Sequence, residues 1–549
     1  MSGSVRMDGI NGWRAALAVA VFLAIALLGC LMPDTPGAAG GGISRFLRLP
    51  VEIPLIALAL LLLPQRMALA VAILSTIVVF FLFFLKIGDL AVLSAFHRRF
   101  NPYLDLRMIF HGWNLLSGSV GTITAAVAIC SAFAVLAILA LAFLWACIRM
   151  TGLARNARRG AVAVFALLLA AGLLLLALNV RMGAEPVARL HVAPYLGERL
   201  SLVASSAADI RAFETELTDE GESGGAAPGF GRIAGRDVIL VFIESYGRSA
   251  IEDARYGGMI GPRLDAIEKQ LSDAGFASAS GWTGSPTVGG LSWLAHGTLL
   301  SGLRVDSQAR YDRLMTSRRP SLNRMFRDAG WRTVAVMPAI TMDWPESAYF
   351  GYDAVLAEKD LGYRGRPFNW VTMPDQYTLS AFERLARRPA GGGDRPVMAE
   401  IALISSHAPW TPVPRLVDWD EVGDGTIFDG HTESGDPPEV VWADQDRVRR
   451  QYAATLDYTL ETLGSYIANF GEDAVFVLVG DHQPAALITG PDASRDVPVH
   501  IVSRDKALVE SFMKDGFSAG MTPSPEAPAP PMDRLRQILI DRFSAPDAA

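Results

Sequence analysis

Hydrophobic positions divide the chain into two unlike stretches. Residues 1–181 carry long apolar runs, whereas residues 182–549 alternate short apolar runs with amphipathic ones. Five runs of the first stretch, at 13–32, 49–64, 67–86, 120–148 and 160–180, approach the ~20 residues that cross a hydrocarbon core. The second is short, carries Glu52, and is parted from the third by Pro64 and Arg66, so it can be half of a helical hairpin. Leu27-Leu28-Gly29-Cys30 has the look of a lipoprotein cleavage box, but four further runs argue for a retained anchor. Apart from Glu52 the runs show no intramembrane charge, which argues against a transporter. Arg149, Arg155, Arg158 and Arg159 form the densest basic cluster beside any run. Positive loops stay in the cytoplasm, so this cluster puts the N-terminus inside and residues 182–549 outside. Arg98, Arg99 and Arg107 then lie outside with Phe100, Tyr103, Phe110 and Trp113, either as an interfacial segment on the headgroups or as a plain loop.

In the second stretch, residues 182–235 read as a connector, with a flexible Gly-rich piece at 221–229. From there the periodicity switches between 2 and 3.6. Apolar β-branched runs at 237–244, 333–337, 398–404, 474–479 and 497–502 predict buried strands, and 262–274, 321–330 and 448–469 predict helices. Such alternation predicts an α/β domain over 236–510 with a mostly parallel central sheet and helices on both faces. Residues 411–447 interrupt it as an acidic, Pro/Gly-rich surface insertion or lid; Asp418, Asp420, Gly423 and Asp429 resemble a calcium loop only faintly, because Val422 takes a ligand place. Residues 511–549 are a Pro/Ala-rich segment with a closing helix at 532–543.

Composition agrees with a membrane region joined to a globular one: 51% of residues are hydrophobic and only 19% charged. The net charge of −7 and the lack of a long basic run give no reason to expect nucleic-acid binding. Cys30, Cys130 and Cys147 all lie in apolar runs, so the globular part has no disulfide to rely on and must be held by its core.

In parallel α/β sheets the site lies beyond the carboxyl ends of the strands. Three strand ends carry polar residues there. Glu244 closes the run DVILVFIE, and a carboxylate at the mouth of a buried strand must be solvated, paired or metal-bound. Asp481-His482 follow AVFVLVG and offer one oxygen and one nitrogen ligand, a set that suits zinc or manganese. His407, in SSHAPW, can polarise a phosphoryl oxygen or protonate a leaving alcohol, or can be structural. Between 281 and 303 small residues crowd around Thr287 before a helical pattern begins, and a hydroxyl at a helix N-terminus faces positive potential. Thr287 is the candidate nucleophile, with Thr283, Ser285 and Ser292 as competitors on the same stretch.

Taken together, Glu244 in FIES, Thr287 in SPTVGGLS, His407 in SSHAPW and Asp481-His482 in GDHQ resemble the alkaline-phosphatase/sulfatase superfamily. The nearest branch is that of lipoteichoic acid synthases, phosphoglycerol transferases and phosphoethanolamine transferases, over roughly 235–505. The resemblance implies one divalent metal ion, manganese or zinc, on Glu244, Thr287, Asp481 and His482, with Thr287 as nucleophile. It also implies that His407 faces substrate and that Trp344, in MDWPESAYFGYD, lines the headgroup site. The implied activity moves a phospholipid headgroup to a glycan or lipid acceptor through a phospho-threonine. The implied place is the bacterial inner membrane, with the catalytic domain on the outer side. A hydrolase and a non-catalytic lipid sensor are the competing readings. Departures narrow the branch: no C/S-x-P/A-x-R sulfatase box is present, Ser245 stands where two-metal phosphatases have a second carboxylate, and the disulfides common in phosphoethanolamine transferases are missing. The last moves the reading toward phosphoglycerol. Asp496 and His500 could supply a second metal site, although His500 within VPVHIV reads better as a core histidine.

Overall fold

The computed structural model describes residues 3–32, 49–96, 99–105, 113, 122–182, 188–222, 229–389, 395–490 and 492–544. Arg98, Arg107 and Phe110 of the supposed interfacial segment, and 223–228 of the Gly-rich piece, lie outside the described residues. The chain divides into two compact units, residues 1–94 with 98–208 and residues 95–97 with 209–549.

In the first unit, Trp13–Leu31, Gln65–Leu93, Thr122–Thr151 and Arg155–Leu178 are helical stretches long and apolar enough to cross a membrane. A helix satisfies its own backbone, which is what lets runs of Leu, Ala, Val and Phe persist without water. The remaining run gives a shorter helix, Glu52–Leu62, of 11 residues. At 1.5 Å per residue it reaches roughly 16 Å, about half a hydrocarbon core. It is tied at both ends: Glu52 accepts from the amides of His191 and Val192 at 2.6 and 2.9 Å, and the Leu61 carbonyl accepts from Arg158 Nε at 2.6 Å. The five expected spans are thus four full-length helices and one half-length helix.

The expectation that Glu52 is the sole charge among the runs is corrected. The helix Gln65–Phe96 continues past residue 86 and carries Lys86 and Asp89. Asp89 is fully buried, pairs with Arg199 at 2.6 Å and accepts from the Tyr195 hydroxyl at 2.6 Å. Lys86 donates to the carbonyls of Cys30 and Met32 at the end of the first helix, where positive charge complements the helix dipole. Residues 192–222, expected to be connector, form a helix.

The second unit is built on one eight-stranded sheet: β1 (Val238–Ile243), β2 (Ala277–Gly284), β3 (Arg332–Met337), β4 (Ala354–Ala357), β5 (Val397–Leu403), β6 (Val475–Gly480), β7 (Asp496–Ser503) and β8 (Ser518–Ala519). Their order is β8-β2-β7-β6-β1-β5-β3-β4. The five strands from β6 to β4 are parallel, while β7, β2 and β8 add an antiparallel wing. The expected strand at 497–502 is therefore present but runs against its neighbour β6. Strand β2 has the sequence ASASGWTG, whose small residues carry little β-propensity, and only the pairing of all eight residues with β7 makes it a strand.

Alternation along β1 feeds two cores. Ile239, Val241 and Ile243 face one, covered by the helices Ala254–Asp273 and Gln445–Phe470; Val238, Leu240 and Phe242 face the other, covered by Ser292–Ser301, Leu322–Asp328 and Met532–Phe543. The 411–447 insertion is more than solvated surface, because Val422, Phe428 and Val441 are buried in the first core.

The close approach of β1 and β6 at their carboxyl ends requires Gly480. A Cβ there would lie 1.9 Å from the Tyr246 carbonyl oxygen. Gly480→Ala is expected to destabilise the fold by about 1–3 kcal/mol; an unchanged urea or thermal midpoint in the purified full chain would show that the two strand ends are not this tightly apposed.

Candidate metal centre

The register of β1 with β6 aligns Ile243 with Gly480, so Glu244 and Asp481-His482 emerge side by side. The main chain carries the alignment one residue further, with the Asp481 amide donating to the Ile243 carbonyl at 3.2 Å and the Glu244 amide to Leu403 at 3.3 Å. Ser245 then turns the chain at φ 56°, in the left-handed region, a conformation that costs a non-glycine residue about 1–3 kcal/mol. Hydrogen bonds hold it there: its amide donates to Asp481 Oδ1 (2.8 Å), its hydroxyl to Glu244 Oε1 (2.7 Å), and its carbonyl accepts from Tyr452 (2.9 Å).

One ligand atom each from Glu244, Asp481 and His482 lie within 4.8 Å of one another. His482 Nε2 is 3.4 Å from Glu244 Oε1 and 3.5 Å from Asp481 Oδ2. Tetrahedral ligands on bonds near 2.1 Å stand about 3.4 Å apart, so the spacing fits a small divalent ion. His482 Nδ1 donates to the Gln483 carbonyl at 2.9 Å, which leaves Nε2 with its lone pair toward the group. Glu244 is 8% exposed and Asp481 1%, and among the described residues no lysine or arginine pairs with either. Two carboxylates buried with one histidine and no lysine or arginine suit a cation.

The electrostatics tell the same story. Burial, reinforced by the charge of Glu244, pushes the Asp481 carboxyl up to about 7. Burial also works against ionised Glu244, yet the charges of His482 and His407 and the bonds from Ser245 and Asp481 bring it below the usual carboxylate range. Burial would lower His482, but Asp481 and Glu244 raise it.

Of the four candidate hydroxyls, Thr283, Ser285, Thr287 and Ser292, one reaches this group. Ser292 Oγ donates to Glu244 Oε2 at 3.1 Å and is 3.2 Å from His482 Nε2. It is the first residue of the helix Ser292–Ser301, where free amides and the dipole favour an anion. Thr283 donates to the Pro530 carbonyl, Ser285 to the Asp481 carbonyl, and Thr287 to the Gly290 carbonyl at 2.8 Å. Thr287, expected as nucleophile and ligand at the helix start, is buried in the preceding turn, five positions before the helix. Gly289 and Gly290, both at positive φ, carry the chain from that turn to Ser292.

His407 stacks on Trp370, ring centroids 3.8 Å apart, and its Nδ1 is 2.5 Å from the Ala408 carbonyl. Its turn is moored by a residue the sequence did not betray. The buried Asp375 carboxylate accepts from the amides of Ile404 and Ser405 and from the Thr459 hydroxyl (2.9, 3.0 and 2.7 Å). Ser406 ties the same turn to the Glu244 carbonyl at 2.6 Å. Trp344 is not hydrogen-bonded to the group; it packs at a tilt against Phe350 and Tyr352. His500 is a core residue, 2.7 Å from Ser280 Oγ and 3.2 Å from the Tyr246 hydroxyl, with its pKa pushed down by burial to about 3. Asp496 pairs with Arg248 at 3.0 Å. Among the described residues Glu244, Asp481 and His482 make the one candidate metal group.

No protein-family model and no curated protein matches the chain. It is similar to several solved structures. The lipoteichoic acid synthase LtaP from Listeria monocytogenes is 14% identical over 62% of this chain and 79% of that one, with a TM-score of 0.38. The C-terminal periplasmic domain of EcEptC from Escherichia coli is 16% identical over 59% and 84%, with a TM-score of 0.37. The Streptococcus pyogenes phosphoglycerol transferase GacH is 13% identical over 61% and 91%, with a TM-score of 0.36.

Stability should depend on pH and metal together. Asp481 and His482 both hold protons more tightly in the folded state than in the unfolded one, so they take stability from the metal-free protein as pH rises from 6 to 8, whereas buried His500, lowered to about 3, acts in the opposite sense mainly below pH 6.5. Lowered Glu244 opposes this only at the acid end. Chelator-treated protein is expected to melt at a lower temperature at pH 8 than at pH 6, with zinc or manganese removing the difference. Glu244→Gln should weaken binding in calorimetry by more than the roughly 10–100-fold that outer-shell partners carry. A metal-free melting point that rises from pH 6 to pH 8 would contradict this assignment.

Proposed function

We propose that this chain is a membrane-anchored, metal-dependent phosphotransferase of the alkaline-phosphatase/sulfatase superfamily. In this reading it moves a phospholipid headgroup, phosphoglycerol or phosphoethanolamine, onto an envelope glycan or lipid acceptor through a phospho-serine at Ser292. The observation that carries the reading is the Ser292 hydroxyl, held at a helix N-terminus against both Glu244 and His482.

Glu244, Asp481 and His482 would hold the ion, with Ser292 Oγ completing the set. A divalent ion there supplies Lewis-acid charge neutralisation and lowers the pKa of a hydroxyl beside it. The chain's own residues do the rest. Ser292 attacks phosphorus from the head of its helix, where the free amides face the phosphoryl oxygens. Diacylglycerol departs, and an acceptor hydroxyl then displaces Ser292. His407, held against Trp370, stabilises charge on the substrate. Trp344 lines the headgroup side. The transfer is mostly positioning and charge neutralisation, which the buried, pre-bonded strand ends suit.

The four apolar helices support the anchor, and the basic cluster of Arg149, Arg155, Arg158 and Arg159 supports an inner-membrane orientation with the catalytic unit outside.

Intact mass after incubation with phosphatidylglycerol and phosphatidylethanolamine vesicles tests the nucleophile. Wild type should carry a headgroup-phosphate adduct. Ser292→Ala should carry none and lose roughly 10³-fold or more of turnover, while Thr287→Ala keeps the adduct. An adduct lost in Thr287→Ala and kept in Ser292→Ala would reverse the assignment; steady release of headgroup phosphate to water without an acceptor product would make the chain a hydrolase.

A further inference from the structure

A second polar chain lies beside the metal group without belonging to it. Glu400, in the middle of β5, is 1% exposed. Its carboxylate accepts from Asn323 Nδ2 at 3.1 Å and from the Tyr352 hydroxyl, and it stands 2.8 Å from His296 Nδ1. Three donors surround the one carboxylate, and its contact with His296 places that ring's proton on Nδ1. A buried carboxylate in mid-strand is a costly residue where an aliphatic one would pack, so its retention points to a task.

The free nitrogen of His296 is Nε2, and three observations direct it to the site. His296 follows Ser292 by one helical turn, on the same face, and helical side chains lean toward the N-terminus. One face of its ring stacks on Phe242, centroids 3.7 Å apart, and Phe242 precedes Glu244 by two positions on the same side of β1. From Leu294 to Ser301 every residue of the helix except His296 is buried, whereas the His296 side chain keeps 12% exposure. Nδ1 faces buried Glu400 and Phe242 covers one ring face, which leaves the Nε2 edge and the other face to carry the exposure.

We propose that His296, oriented by Glu400, is the general acid–base of this site, an inference that rests on the transferase reading above. In the first step the Ser292 alkoxide, whose proton has gone to solvent, forms its bond to phosphorus. The bond from phosphorus to diacylglycerol oxygen breaks, and the Nε2 proton passes to that oxygen. In the second step the acceptor oxygen bonds to phosphorus, its proton passes to Nε2, and Ser292 leaves as the alkoxide. His296 ends the cycle as it began, and protons balance.

A leaving group that needs no proton isolates the role. The test compares turnover of phosphatidylglycerol vesicles with that of bis(p-nitrophenyl) phosphate, using metal-loaded full-length protein. His296→Gln is expected to lower lipid turnover by roughly 10²–10⁴-fold while the first-turnover burst of nitrophenolate, which comes before any acceptor loses its proton, stays within about threefold. Glu400→Gln, which keeps the shape, should give the same split at about tenfold on the lipid, with thermal melting confirming that each variant folds. Equal losses on both substrates would reduce His296 to a structural support and overturn the proposal, as would no loss on either. Wild-type inactivity on the vesicles alongside release from the diester would overturn it too. The transferase reading fails separately: Ser292→Ala would then retain both activities, whatever His296→Gln does.

Discussion

Glu244 and Asp481 are two acids buried against each other, and most of the C-terminal unit can be understood as what that requires. They come from the ends of adjacent parallel strands, where the register leaves no freedom to separate them. In so dry a place two negative charges without a basic partner repel strongly. The repulsion is visible in the Asp481 carboxyl, which burial and its neighbour hold well above the usual range. His482 relieves part of it, and a divalent ion would relieve the rest. The same unfavourable pairing is thus what gives the site its selectivity for positive charge.

The surrounding structure keeps the acids in place. Gly480 lets one strand end slide under the Tyr246 carbonyl. Ser245 accepts a left-handed backbone so that its amide can meet Asp481 and its hydroxyl Glu244. Ser406 binds the turn after β5 to the Glu244 carbonyl, Asp375 binds the same turn to Thr459 of the long helix, and Ser285 binds the loop before the Ser292 helix to the Asp481 carbonyl. Every loop that meets the centre is fastened to it or to the core by a small hydroxyl or a buried carboxylate. This explains why serine and threonine, mostly exposed in proteins generally, are so often buried here.

Much of this was legible in the sequence because it rests on local rules. Runs such as VILVFI and VFVLV are apolar on both faces, so the strands and the polar residues just past them stood out, and Glu244, Asp481, His482 and His407 were readable as candidates. What escaped depended on tertiary geometry. Three candidate hydroxyls, Ser285, Thr287 and Ser292, follow β2, and only the path through two positive-φ glycines decides that Ser292, not Thr287, meets the acids. The signal was present in a weak form, since Ser292 immediately precedes the helical pattern. Strand β2 was missed because its small residues show no β pattern. Asp375 and Glu400 were missed because a lone acid in a mixed segment carries no sign of burial, and Lys86 and Asp89 because they fall where the apolar run fades.

The three cysteines all belong to the N-terminal unit, so no disulfide closes any loop of the C-terminal one. The unit is held by two cores, a web of hydroxyl bonds and, with metal in place, one removable ion. None of these is a one-way step. A disulfide-stitched domain outside the cytoplasm has its folding fate decided once, by an oxidant. With no cysteine to oxidise, redox state has no such hold on this unit, and an ion held by Glu244, Asp481 and His482 would instead set how far its folding equilibrium leans.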